Sequence, residues 1–347
     1  MIAVCHIVSR GFSLRLSLNE SPFPPEEESL SLLARYGSRA NLYIIEELHR
    51  DFMEALSRYV GIDEEFLDVY PGSSYLIVLM LIYAKVRGLP LVMPYPSFHP
   101  IYRLAGEFGV EVVNVPLGNG DFSLDPSLLL EAGRGKIVYF SNPNNPTSNL
   151  LVSDVGLVRE LSEEADSVFI DEAYYEFSGV TLKDLVRELG NLVIVRTFSK
   201  AFSLAGIRLG YGILGDVIRR RLKRLRIGYE VSVLSEAMGL GALRSVERMR
   251  ERVKEICRVR DSSISQLRML GVRVAESRTN FLFIDVGTDC RYVRDELKAR
   301  GIEVLCFRDV EVLGKDFPTF IRVTVGSEKD MRYFTASLEE ILSRVSR

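Results

Sequence analysis

The chain has no tryptophan, three histidines (His6, His49, His99) and four cysteines (Cys5, Cys257, Cys290, Cys306) in 347 residues. Each shortage excludes a class of function. The histidines are scattered without ligand spacing, so no metal site is predicted. The cysteines form no C-x-x-C pair and no small secreted framework. They read as reduced, mostly buried thiols of a cytoplasmic protein. Long hydrophobic runs are lacking as well. The longest, residues 75–84, is too short to span a bilayer, and residues 1–6 lack the basic start and apolar core of a signal peptide. A soluble cytoplasmic protein is therefore expected, with no membrane partner. Neither sign of charge dominates: 44 Lys and Arg against 47 Asp and Glu suit neither a nucleic-acid binder nor a membrane-surface protein. A chain of this length, 47% hydrophobic, can bury a large core and suggests two domains.

What is present is a rhythm. Short apolar runs at residues 68–70, 90–93, 110–116, 136–140, 167–170, 192–196 and 209–214 are bounded by Gly, Pro, Asn or Asp, with helical stretches such as 154–165 and 182–189 between them. That alternation predicts an α/β fold, a mostly parallel seven-stranded sheet between helices. Residues 17–28 carry prolines that favour an extended arm leading into a first helix, and residues 41–59 show helical spacing of Leu48, Phe52, Leu56 and Tyr59. Residues 75–83 are apolar on every side, which demands a helix buried all round. From about residue 216 to 270 the pattern is long, charged and helical. A smaller α/β region follows, with strands at 280–286, 302–306 and 319–325 and helices at 291–300 and 328–345. The expected division is a large domain of residues 41–245 and a small one built from residues 1–40 and 246–347.

Ligands in open α/β sheets sit at the carboxyl ends of the strands. Three of the predicted strands lead into residues that are costly to bury unpaired: Ser141-Asn142-Pro143-Asn144-Asn145-Pro146-Thr147, Asp171-Glu172-Ala173-Tyr174, and Thr197-Phe198-Ser199-Lys200. Parallel strands bring Asn145, Asp171, Tyr174 and Lys200 to one edge. The set is complementary. A lysine amine can form a Schiff base with an aldehyde, an aspartate can keep a pyridine nitrogen protonated, and Asn and Tyr can hydrogen-bond a phenolic oxygen. Taken singly, Asp171 fits a helix cap, Asn145 a turn former and Tyr174 the edge of a core. Independent caps and turns need not supply this joint set of donors and acceptors. Gly72-Ser73-Ser74 opens the apolar helix, and its N–H groups suit either a phosphate or an ordinary cap.

The blocks Asn142-Pro143-Asn144-Asn145-Pro146-Thr147, Asp171-Glu172-Ala173-Tyr174 and Thr197-Phe198-Ser199-Lys200, with Gly206-Ile207-Arg208-Leu209-Gly210-Tyr211, resemble those of fold type I, class I/II aminotransferases that use pyridoxal 5′-phosphate. Within that group the chain is most similar to histidinol-phosphate aminotransferases. The similarity lies in its short length, the arm Leu18-Asn19-Glu20-Ser21-Pro22-Phe23, residues 171–177, and the ending Phe320-Ile321-Arg322-Val323-Thr324-Val325-Gly326. The resemblance implies a fold type I transferase with a large sheet domain and a small α/β domain. It implies transfer of an amino group between L-histidinol phosphate and 2-oxoglutarate or glutamate, a step of histidine biosynthesis. Lys200 would hold the cofactor and carry the proton, Asp171 would face its ring nitrogen, and Asn145 with Tyr174 its phenolic oxygen. Phe98 would stack on the ring; Ser73, Ser74, Thr197, Ser199 and Arg208 would surround the phosphate. Tyr43 would reach that phosphate from the neighbouring subunit of a homodimer, and Arg322, Phe23 and Tyr43 would meet substrate.

Several residues depart from the family pattern. Ser74 stands where an acidic residue is common, Phe23 and Phe98 where tyrosine is common, and Leu305 where an arginine is often found. Stacking needs only the aromatic face, so Phe98 retains its use. The changes at Phe23 and Leu305 bear on the substrate and keep a threonine-phosphate decarboxylase and an aromatic or broad-specificity aminotransferase as alternatives. Gly210-Tyr211-Gly212-Ile213-Leu214-Gly215 matches G-x-G-x-x-G but reads as a strand itself, without the strand–turn–helix context of a dinucleotide site. The basic run 219–226 raises a nucleic-acid-binding regulator on the same fold. Ile218, Leu222 and Leu225 at helical spacing favour a solvated helix face instead.

Overall fold

The computed structural model describes residues 14–345, so the expectations for Cys5, His6 and residues 1–6 lie outside the described residues. In chain order the strands are β1 (Leu14–Arg15), β2 (Leu67–Tyr70), β3 (Leu91–Tyr95), β4 (Val112–Pro116), β5 (Ile137–Ser141), β6 (Ser167–Asp171), β7 (Leu192–Thr197), β8 (Gly210–Leu214), β9 (Arg273–Val274), β10 (Phe281–Asp285), β11 (Ile302–Glu303), β12 (Leu305–Cys306) and β13 (Phe320–Thr324). The chain divides into two compact units. The larger comprises residues 20–258 and 275–280; among the described residues the smaller comprises 14–19, 259–274 and 281–345. One division falls inside the continuous helix Val246–Met269, where no break in composition marks it. The division expected from the sequence falls instead after residues 40 and 245.

The larger unit is built on a seven-stranded sheet in the order β2-β8-β7-β6-β5-β3-β4. Only β8 runs antiparallel to its neighbours β2 and β7; the remaining pairs are parallel. Strands β5, β6, β7 and β8 are buried along their whole length, which is why they read as unbroken apolar runs rather than alternating ones. The all-round apolar stretch becomes the helix Ser73–Arg87. Its Leu76, Ile77, Leu79, Met80, Leu81, Tyr83 and Ala84 share one core with Met93, Tyr139, Phe169, Val193 and Val195 of the sheet. Each fully buried large side chain there is worth about 1.5–3 kcal/mol. Gly88, in the left-handed conformation at φ 65°, closes that helix. The expected helix at 182–189 is a 3-10 turn over Lys183–Arg187, and the one at 41–59 starts later, at Glu46–Val60.

The smaller unit has a four-stranded antiparallel sheet, β12-β13-β10-β9, and a parallel pair, β1-β11. The expected strand at 302–306 is split by Val304 into β11 and β12, which join different sheets. The reading of every cysteine as a reduced thiol is corrected here: Cys290 and Cys306 form a disulfide with Cα atoms 5.5 Å apart. The helix Cys290–Ala299 leads through β11 directly into β12, and this return brings its first residue against Cys306. Both cysteines are buried. Cys257 in the helix Val246–Met269 is half-buried and remains a thiol. Among the described residues no helix is long and apolar enough to cross a membrane, and no group of three His, Cys, Asp or Glu could hold a metal ion.

Candidate active site

The ends of β5, β6 and β7 adjoin in the larger unit. Ser141 pairs with Asp171 across β5 and β6, and Asp171 with Val195 across β6 and β7. The chain stays tied just beyond them, with Asn142 N–H donating to Asp171 O at 2.8 Å and Glu172 N–H to Val195 O at 2.8 Å. Two neighbouring acids therefore point to opposite faces, as successive strand residues must. Glu172, fully buried, accepts from Arg196 Nη2 at 2.8 Å and from Leu182 N–H at 2.7 Å. The Arg196 guanidinium in turn lies 3.6 Å from the centre of the Tyr175 ring. A buried pair of this kind is a structural anchor whose breakage costs about 3–5 kcal/mol.

Asp171 faces the other way. It is buried, and its carboxylate accepts from the Tyr139 hydroxyl at 3.0 Å and from Ala173 N–H at 3.0 Å. Burial pushes its pKa up to about 6; those two bonds and the nearby Lys200 ammonium work against the rise. Lys200 is half-buried on the turn after β7, its Nζ 5.9 Å from the centre of the Tyr174 ring. Tyr174 itself is buried. In the loop after β5, Asn142 and Asn144 serve the backbone: Asn142 bonds Val152 O and two N–H groups, and Asn144 donates to Pro96 O at 3.0 Å. Asn145 N–H donates to Ser141 Oγ at 3.2 Å, which seats this buried residue at the end of β5.

A second cluster lies at the start of the helix Ser73–Arg87. A Cβ built on Gly72 would stand 2.7 Å from Arg208 Nη2, and one on Gly210 would stand 2.3 Å from Ser73 N. Arg208 sits at φ 54°, which turns its guanidinium back to Ala205 O at 2.9 Å and Ser199 Oγ at 3.4 Å. Thr197 Oγ1 accepts from Ser199 N–H at 3.0 Å. A guanidinium, hydroxyls and the first N–H groups of a helix thus meet in a cup closed by two glycines. That donor set fits a phosphate dianion. Gly206 is different: a Cβ there would meet nothing within 4 Å, so it takes no part in the close approach.

The remaining candidates are placed less centrally. Ser73 is half-buried and the Ser74 side chain is exposed. Phe98 is half-buried against the main core, its ring 6.1 Å from that of His99. The Phe23 ring lies 5.1 Å from the Arg252 guanidinium. Its arm is pinned beside the lysine turn, because Ser203 Oγ donates to Ser21 Oγ at 2.8 Å and Ser203 N–H to Lys200 O at 3.1 Å. Tyr43 is 82% exposed. Its only ring neighbour among the described residues is Tyr229, at 5.9 Å. Arg322 belongs to the smaller unit. It is buried on β13 opposite Leu305 and Phe283, and donates to Ser17 O at 2.8 Å.

With the lysine, the acid and the anion cup in place, the comparison with known families is decisive. Residues 14–338 match the family model "Aminotransferase class I and II". The chain belongs to this family. This aminotransferase is 34% identical to histidinol-phosphate aminotransferase of Methanosarcina mazei, over 94% of the chain and 89% of the relative. It is 31% identical to the enzyme of the same name from Thermoanaerobacter pseudethanolicus, over 95% and 93%. Its fold is that of the Sinorhizobium meliloti histidinol-phosphate aminotransferase solved in complex with pyridoxal 5′-phosphate, with a TM-score of 0.84 at 24% identity over 97% of this chain and 92% of that one. Sequence reasoning missed one residue of the aminotransferase's site. Tyr139, which donates to Asp171, lies inside the apolar run 136–140, where only the cost of burying a hydroxyl without a partner marks it out.

Proposed function

We propose that the chain moves an amino group between L-histidinol phosphate and 2-oxoglutarate or glutamate, with pyridoxal 5′-phosphate as cofactor. The observation that carries the reading is the placement, in one unit, of Lys200 and the buried Asp171 at strand ends together with the Arg208–Ser199–Gly72 cup. The names of relatives matching nearly the whole chain support the substrate. When bound, pyridoxal 5′-phosphate supplies an aldehyde that captures amines and a protonated ring that draws electrons from the adjoining carbon. Arg208, Ser199, Thr197 and the helix start at Ser73 and Ser74 would hold its phosphate. Asp171 would accept a hydrogen bond from the ring nitrogen, Asn145 and Tyr174 would donate to the phenolic oxygen, and Phe98 would cover the ring. Lys200 Nζ is the amine that would hold the aldehyde and move a proton to and from the substrate carbon.

Tyr43, exposed on its own chain, would reach the phosphate of a second copy, which makes a homodimer the working form. Arg322 is the guanidinium suited to a substrate carboxylate, with Phe23 of the arm beside the substrate. We place the cofactor on the larger unit, residues 20–258 and 275–280, and the enzyme in the cytoplasm. The test is a half-reaction screen. Mixed with L-histidinol phosphate, phenylalanine or threonine phosphate, the yellow enzyme should lose its colour fastest with the first and form glutamate when 2-oxoglutarate is added. Carbon dioxide release from threonine phosphate without glutamate would overturn the reading.

A further inference from the structure

Tyr139 is fully buried in the middle of β5, where a phenylalanine would fill the same space. A hydroxyl there is costly unless bonded, and this one donates to Asp171 Oδ2 at 3.0 Å. The groups that face the Asp171 carboxylate are few: the Tyr139 hydroxyl from β5, Ala173 N–H and Glu172 from its own strand end, and Lys200 from the turn after β7. Tyr174 and the Ser141 hydroxyl also face the Tyr139 hydroxyl. Glu172 and burial favour the neutral acid. Of the groups that oppose them, the Tyr139 hydroxyl acts most strongly, ahead of Ala173 N–H and Lys200. The phenol cannot itself ionise in the working range, because burial and the adjacent carboxylate hold its pKa far above the ordinary value. It is therefore a permanent donor.

We propose that Tyr139 is a positioning residue which keeps Asp171 charged and fixes its orientation, so that the cofactor's ring nitrogen meets an acceptor rather than a neutral acid. The inference rests on the cofactor reading above. A bond to a charged group of this kind is worth about tenfold or more in the protonation constant, or about one pH unit. In Tyr139→Phe the packing stays and the donor goes, so Asp171 should take up its proton at higher pH.

The test is a titration of pyridoxal 5′-phosphate affinity against pH for wild type, Tyr139→Phe, Asp171→Asn and the double variant. The wild-type affinity should fall on the acid side with a midpoint that moves up by about one pH unit in Tyr139→Phe. With Asp171→Asn present, the second substitution should move nothing. A purely packing role would lower the melting temperature equally at every pH and leave the midpoint fixed, and that result overturns the proposal. Failure of the wild type to bind the cofactor would instead sink the functional reading. Should Tyr139→Phe not fold, a fluorotyrosine at position 139, a stronger donor, should move the midpoint down; an unmoved midpoint is again contradictory.

Discussion

Replacing Gly210 by alanine is the sharpest local perturbation of the anion cup. The new methyl would stand 2.3 Å from Ser73 N, 2.7 Å from Gly72 C and 3.1 Å from Arg196 O. All three are backbone atoms, so no rotamer change relieves the clash. Ordinary contact begins at 3.4 Å, and the start of the helix Ser73–Arg87 must retreat by about 1 Å to reach it. Overpacking of this kind costs about 1–3 kcal/mol. At about 2.1 cal/mol/K per residue, that lowers the melting temperature by about 1–4 °C. The larger effect falls on the ligand. The retreat would carry the helix N–H groups away from the proposed phosphate position, and losing one charge-assisted hydrogen bond at about 1.5–3 kcal/mol would weaken binding about 10- to 150-fold. Titrating apoenzyme with pyridoxal 5′-phosphate measures this directly. Gly206→Ala, a methyl with open space around it, is the control and should bind as wild type does. If Gly210→Ala binds as tightly as Gly206→Ala, the cup is not where the phosphate sits.

Two further outcomes follow from the geometry. Cutting the Cys290–Cys306 disulfide, by reductant or Cys306→Ser, frees a loop with sequence separation 16 and should lower stability by about 3 kcal/mol. Denaturant melts with and without reductant test this, and cofactor affinity should hold. Asp171 gives a pH signature. Its folded pKa, raised from 3.8 to about 6, makes its contribution to stability fully present below 3.8 and lost as pH rises through about 6, a change of about 3 kcal/mol. Apoenzyme should therefore lose stability between pH 4 and 7 relative to Asp171→Asn, and cofactor should restore more of it at about pH 8 than at about pH 5, as judged from paired melts.

The sheet was legible because buried parallel strands must be apolar throughout and must end where Gly, Pro, Asn or Asp break them. Strands β2 to β8 all lie within the runs read from sequence or within a residue or two of them. Two-residue strands such as β1 and β9 carry no pattern at all, and the split of β11 from β12 turns on one residue, Val304. The site's polar ends were legible for the same reason the strands were: Asp171 at the end of Ser167–Asp171 is conspicuous against Val168, Phe169 and Ile170. Tyr139 was hidden because its ring obeys the apolar pattern and only its hydroxyl departs from it. The disulfide was hidden because neither spacing nor composition records that a helix start returns to β12.

On the proposed reading one lysine, Lys200, holds the cofactor. Borohydride reduction of the yellow enzyme, followed by proteolysis and mass analysis, fixes the cofactor to whichever amine carries it. The pyridoxyl group should be found on Lys200 alone and should be missing from Lys200→Ala. A label on Lys183, Lys223 or any other lysine of the wild type, or none at all, would rule out Lys200 as the anchor.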